Sequence, residues 1–85
     1  MTLDNGEVAR LLDELAPRYL PLLGDASADG VASLTRGGEW FEAVENLLLG
    51  LSRREVPVLE RDVTTLTRLA EYLGIEMPPL QSATA

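Results

Sequence analysis

Three glutamates spaced by three residues, Glu39, Glu42 and Glu45, form the most regular set of side chains that could do chemistry in this sequence. Residues three apart on an α-helix are neighbours, so consecutive carboxylates would lie side by side and repel each other. Glu42 and Glu45 could act as a general acid–base pair, or the whole set could attract a cationic protein. Acid–base catalysis needs a raised carboxyl pKa, which neighbouring carboxylates on an open helix surface seldom have. We therefore expect a binding role.

The composition removes most other chemistries. The 85 residues include no histidine, cysteine or lysine, and 14 acidic side chains outnumber 7 arginines to give a net charge of −7. Without histidine and cysteine there is no usual zinc site, no thiolate and no Ser–His pair. So negative a protein repels phosphate backbones, which disfavours direct nucleic-acid binding. We expect no enzymatic activity, no cofactor and no metal.

Nothing in the sequence suggests export or membrane insertion. The first residues contain no basic segment followed by an apolar run, which a secretory signal requires. The longest apolar run, the three leucines at 47–49, is far shorter than the ~20 residues that span a bilayer. We expect a cytoplasmic protein without a membrane partner.

Hydrophobic residues recur at helical spacing, and an alternating β-branched run appears nowhere in the sequence. A first helix is expected to begin at Asp4 or Asn5, either of which can cap it, and Pro17 is expected to end or kink it. Three more helices are expected over residues 25–36, 39–52 and 58–73. The sequence therefore predicts an all-α fold, a small compact bundle of about four helices.

The bundle is expected to form a single domain over residues 1–76, because a chain of 85 residues supplies one small core. Residues 77–85 contain two consecutive prolines and end in small side chains, so we expect a flexible C-terminal tail. Asp62 falls in the first turn of the fourth helix, where a carboxylate can accept hydrogen bonds from free amide groups. We expect that role to be structural.

The third predicted helix has two distinct faces when its residues are placed about 100° apart. Its inner face is expected to pack in the core and contains Trp40, Val44, Leu47 and Leu51, with Phe41, Ala43 and Leu48 at its flanks. Leu49 points the other way, between the directions of Glu42 and Glu45 and close to Asn46. An apolar side chain ringed by polar groups is typical of a protein–protein hot spot, but Leu49 can equally pack beneath a loop or the tail. Tyr72 on the fourth helix is either an interface aromatic or a half-buried core residue.

Several short motifs follow one another along the chain. They are LLDELAP at 11–17, GEW at 38–40, AVENL at 43–47, Val56-Pro57, Leu66, Leu69-Ala70 and LGI at 73–75. In these motifs the chain resembles the Maf-type (MafI family) immunity proteins, small helical proteins encoded beside bacterial polymorphic toxins, including contact-dependent inhibition systems. Members often carry acidic and tyrosine residues before the Val-Pro element, where this chain has Ser52, Arg53 and Arg54.

The resemblance implies a protein that binds and neutralises a cognate toxin C-terminal domain. A nuclease, either an RNase or a DNase, suits the acidic surface because such enzymes hold phosphates in a cationic cleft. The side chains expected to meet the toxin are Glu39, Glu42, Glu45 and Glu55 as charges, Asn46 as a polar contact, and Leu49 and Tyr72 as the apolar centre. Binding inside the cleft and binding beside it both remain open.

A self-associating helical adaptor or regulatory subunit is the alternative. Leu49 and the proline-rich tail would then be buried against a second copy in a homodimer. Sedimentation distinguishes the two, because a stable dimer through the third helix would leave that face unavailable to a toxin.

Overall fold

Four α-helices dominate the computed structural model, which describes residues 3–83. They are α1 (Asn5–Tyr19), α2 (Asp25–Arg36), α3 (Trp40–Arg53) and α4 (Glu60–Leu73). A 3₁₀ turn over Leu20–Leu22 follows α1, and there are two short strands, β1 (Pro57–Leu59) and β2 (Gln81–Ala83). The prediction of a small all-α bundle is confirmed. No helix within residues 3–83 is long and apolar enough to cross a membrane.

The core lies where the apolar sides of the helices meet. Its largest fully buried side chains are Val8, Leu15, Leu23, Val44, Leu47, Leu48, Leu51, Val58, Leu66 and Leu69. Those in α3 and α4 recur three or four apart, and the two in α1 are seven apart, which are the spacings that place side chains on one side of a helix. Helix α3 supplies more of them than any other element, so one side of α3 is fixed in the core and its opposite side is turned outward.

Helix α1 begins as predicted and ends later than predicted. The Asp4 carboxylate accepts a hydrogen bond of 2.8 Å from the Glu7 N–H, which caps the helix. The helix continues through Pro17 to Tyr19, so Pro17 does not end it. Burial of Tyr19 in the core offsets the missing proline N–H, because the extra turn carries this aromatic ring inward.

The C-terminal segment, which we expected to be a flexible tail from residue 77, contains a short strand. Gln81–Ala83 form β2, which pairs in parallel with β1 so that Val58 lies opposite Ser82. Val58 is fully buried, and Met77 and Leu80 pack partly buried against the core, so apolar contacts hold the segment in place. Because 57–59 form a strand, α4 begins at Glu60 and not at residue 58. Residues 84 and 85 lie outside the described part of the chain.

Asp62 joins α4 to α1 through side chains, not through the amide groups of its own helix as we expected. The carboxylate is 3% exposed and accepts hydrogen bonds from Arg18 Nε (3.0 Å), Arg18 Nη2 (2.8 Å) and the Tyr19 hydroxyl (2.5 Å). The Tyr19 oxygen in turn accepts a bond of 3.1 Å from the Leu59 N–H. Burial alone would raise the pKa of Asp62, but the bonds from Arg18 and Tyr19 outweigh it and hold that pKa below its ordinary value. Asp62 is thus a structural residue, as predicted, with different partners.

Candidate protein-binding site

The outward side of α3, here called the acidic face, carries Glu39, Glu42 and Glu45. Glu39 directly precedes the helix and is exposed, as is Glu42, whereas Glu45 is half-buried. The ion pairs within residues 3–83 all lie elsewhere, on α1 and between α1 and α4. The three carboxylates therefore have no arginine partner in the described chain, and their mutual repulsion is not relieved by the fold.

Phe41 belongs to the acidic face and not to the core, so its predicted place beside the core residues was wrong. Its side chain is 41% exposed, while the neighbouring Trp40 is half-buried and packs against the core. On a helix Phe41 is adjacent to Glu45, four residues on, and it directly precedes Glu42. Phe41 was not among the candidate binding residues of the sequence, because its direction on the helix falls at the boundary between the two faces. An exposed aromatic among charges is typical of an interface anchor.

Leu49 and Asn46 take intermediate positions on the same helix. Leu49 is half-buried and lines a groove of about 370 Å³ between α2 and α3, so it is neither sealed in the core nor fully exposed. Asn46 is exposed, and its Nδ2 donates a bond of 2.7 Å to the Glu42 carbonyl one turn earlier. One of its two amide hydrogens is thus used inside α3, which leaves its Oδ1 and its other hydrogen for a partner.

Glu55 follows α3 in a backbone conformation that normally selects glycine. Its φ is +52°, and the bonds Glu55 N–H to Ser52 C=O (3.2 Å) and Val56 N–H to Leu51 C=O (3.0 Å) form a Schellman motif. The corresponding left-handed residues after α2 and α4 are Gly38 and Gly74. A side chain in this conformation costs about 1–2 kcal/mol. The exposed carboxylate of Glu55 is therefore kept at a position where glycine would be more stable.

Tyr72 lies apart from these residues. It is 41% exposed on α4, and its hydroxyl donates a bond of 3.3 Å to Asn5 Oδ1 at the start of α1. No hydrogen bond within residues 3–83 links it to the acidic face. The candidate residues of α3 and Glu55 thus lie on one helix and its C-terminal turn. Tyr72 instead links α4 to α1.

The two cavities described next to α3 do not bring carboxylates together. The groove between α2 and α3 contains none, and a smaller cavity of about 190 Å³ between α1, α2 and α3 has Asp13 as its one acidic lining residue. Within residues 3–83 no three acidic side chains are arranged to hold a metal ion. The observed geometry offers separate surface charges, which suit the recognition of an extended cationic surface.

No family model, curated protein or solved structure matches this chain. One surface of α3 combines carboxylates that have no ion-pair partner within residues 3–83 with an exposed aromatic ring.

Proposed function

We propose that this protein is an immunity protein that binds a cognate toxin domain of the nuclease class and covers its basic cleft with the acidic face. The observation that carries the proposal is the outward row of Glu39, Glu42 and Glu45, which have no arginine partner within residues 3–83 and stand beside exposed Phe41. The resemblance to Maf-type immunity proteins supports the same conclusion.

The row of carboxylates suits a cleft that holds phosphates. Residues three apart rise about 4.5 Å along a helix, so the face presents successive negative charges along a line. A nuclease cleft lined with arginine and lysine pairs with such charges as it pairs with a phosphate backbone. The carboxylates repel one another in the free protein, and a cationic partner relieves this repulsion when it binds.

Apolar contacts supply the affinity that charge alone lacks. Exposed charge pairs contribute about 0–1 kcal/mol each, whereas a buried aromatic anchor contributes about 2 kcal/mol or more. Phe41 is the exposed anchor on this face, and Leu49 adds a half-buried apolar surface two turns further along α3. Glu55 adds an exposed carboxylate in the turn after α3, and contact with the toxin would account for a side chain at a position that favours glycine.

The experiment is co-expression with the C-terminal domain of the protein encoded immediately upstream, scored by growth and by co-purification. We expect the wild type to restore growth and to co-purify with that domain, and the double variant Glu42→Lys/Glu45→Lys to do neither. Glu71→Lys/Glu76→Lys is the matched control, because it makes the same charge change at exposed residues outside the acidic face. Equal rescue by both variants, or no complex with the wild type, would contradict the proposal.

A self-associating adaptor is the second candidate, and one relationship favours it. Glu45 and Arg53 lie four residues on either side of Leu49. Two antiparallel copies of α3 that cross at Leu49 would therefore place Glu45 of each copy opposite Arg53 of the other. Sedimentation velocity decides, because this candidate requires a dimer that Arg53→Glu dissociates and that the double variant Glu45→Arg/Arg53→Glu restores.

A further inference from the structure

A groove of about 370 Å³ lies between α2 and α3, next to the acidic face. Small residues of α2 form one wall, and Leu49 lies on the other wall, with Arg53 and Arg54 beyond it at the end of α3. Gly30 in α2 leaves the groove open, because a Cβ built there would meet no heavy atom within 4 Å. The groove thus combines an apolar side chain on one wall with polar lining residues and a cationic end.

The two arginines are exposed and have no carboxylate partner within residues 3–83, although the chain has 14 acidic side chains and 7 arginines. Arg54 packs closely over Gly24, where its Nη2 lies 2.7 Å from the place a Cβ would take. Glycine at 24 therefore makes room for the Arg54 guanidinium at this end of the groove. A guanidinium without a partner presents two parallel N–H groups, which is the geometry that binds a carboxylate.

We propose that this groove binds a segment of the toxin domain that carries an apolar side chain followed by a carboxylate. The apolar side chain rests on Leu49, and the carboxylate pairs with Arg53 and Arg54. The inference deepens the proposed function and rests on it, because it states what the partner must carry besides its basic cleft. The partner surface is bipolar, with a cationic part opposite the acidic face and an anionic part opposite the groove.

Specificity is the physical reason for such a groove. A uniformly acidic surface attracts any basic protein, whereas two unpaired arginines beside it repel a partner that is cationic throughout. The correct partner places positive charge opposite the acidic face and negative charge opposite the two arginines. A wrong partner places a like charge opposite one of these two surfaces. The groove therefore selects among basic proteins that the acidic face alone does not distinguish.

Binding of the upstream-encoded toxin domain to two variants tests the groove. Gly30→Leu fills the groove and replaces a glycine inside a helix, so we expect an unchanged or raised melting temperature with an affinity about 10-fold lower. Arg53→Glu/Arg54→Glu is expected to lower the affinity about 100-fold. Arg61→Glu/Arg68→Glu, at exposed positions on α4, makes the same change in net charge and is expected to alter affinity less than about 3-fold. Full neutralisation by both groove variants would overturn the groove proposal and leave the proposed function standing.

A second probe does not depend on the toxin. Two peptides of about a dozen residues, identical except that one carries Leu-Ala-Asp and the other Leu-Ala-Lys, are titrated into the labelled protein and followed by amide NMR shifts. We expect the aspartate peptide to shift the amides of Ser27, Gly30 and Arg53 in the wild type and not in Gly30→Leu. The net charge of −7 favours the lysine peptide over the rest of the surface. A preference for the aspartate peptide can therefore come only from a local cationic site. Equal shifts by both peptides would overturn the proposal, as would a homodimer that Gly30→Leu dissociates.

Discussion

Glu55 holds the same backbone position after α3 that Gly38 holds after α2. Both have positive φ, +52° and +72°, and in both turns the next N–H bonds to the carbonyl five residues before it, from Val56 to Leu51 and from Glu39 to Leu34. The two turns differ in the side chain that they accept. Since glycine is the more stable choice in this conformation, we propose that the glutamate has a role outside folding.

Glu55→Gly is therefore expected to raise the stability of the fold and to weaken binding. The free energy of unfolding of this variant should be about 1 kcal/mol higher than that of the wild type. For a domain of this size, that raises the melting temperature by about 4–8 °C. Its affinity for the proposed toxin partner should fall, because one carboxylate of the proposed interface is lost. Glu55→Gln is the control for charge alone and should weaken binding without the gain in stability. An affinity that both variants leave unchanged would remove Glu55 from the interface.

Phe41→Ser tests the exposed aromatic anchor by thermal unfolding and titration calorimetry. Because Phe41 is 41% exposed, we expect the free energy of unfolding to fall by less than about 1 kcal/mol, while binding weakens by about 2 kcal/mol or more. Leu22→Ser is the matched control, since Leu22 is 51% exposed in the 3₁₀ turn outside the acidic face. Phe41 is a cleaner test than Leu49, whose half-buried side chain also contributes to packing. A loss of stability equal to the loss of binding would assign Phe41 to the fold.

Asp62→Asn tests the buried carboxylate through the pH dependence of stability. Hydrogen bonds from Arg18 and Tyr19 outweigh burial and hold the pKa of Asp62 below its ordinary value of 3.8, so the carboxylate stabilises the fold above that pH. This contribution is lost as the pH falls below 3.8 and through the lower pKa of the folded state. At pH 7 we expect the variant to be about 2–3 kcal/mol less stable, because a bonded buried charge is removed and Arg18, 38% exposed, can turn to water.

The measurement is the free energy of unfolding in urea from about pH 7 to about pH 3. The difference between wild type and Asp62→Asn should narrow as the pH falls, and Asp29→Asn at an exposed position of α2 should follow the wild type throughout. A difference that stays constant over this range would mean that the charge of Asp62 does not stabilise the fold.

The helices could be predicted because their cause is local. Val44, Leu47 and Leu51 recur at helical spacing and are all buried, and the glycines at 38 and 74 mark the ends of α2 and α4. Strand β2 could not be predicted, because three residues carry no periodic signal and the pairing depends on contacts with distant residues.

The partners of Asp62 and the groove at Leu49 could not be predicted from the sequence either. Arg18 lies 44 residues before Asp62, and nothing in the spacing of either residue points to the other. The groove results from how α2 crosses α3, where Gly30 leaves space beside Leu49. Phe41 shows the limit of a helix wheel, since a residue at the boundary of two faces is assigned only once neighbouring helices are in place.

The rate of association with the toxin domain, measured by stopped flow over a range of salt, tests the central claim most directly. We predict that the wild-type rate falls steeply from about 0.05 M to about 0.5 M salt, as screening shortens the reach of the acidic face. Glu42→Gln/Glu45→Gln should associate about 10-fold more slowly at low salt and with a flatter salt dependence. Glu71→Gln/Glu76→Gln, which removes the same charge outside that face, should keep most of the wild-type rate. A wild-type rate that does not respond to salt, or equal slowing in both variants, would contradict the assignment of the acidic face as the surface that meets the toxin.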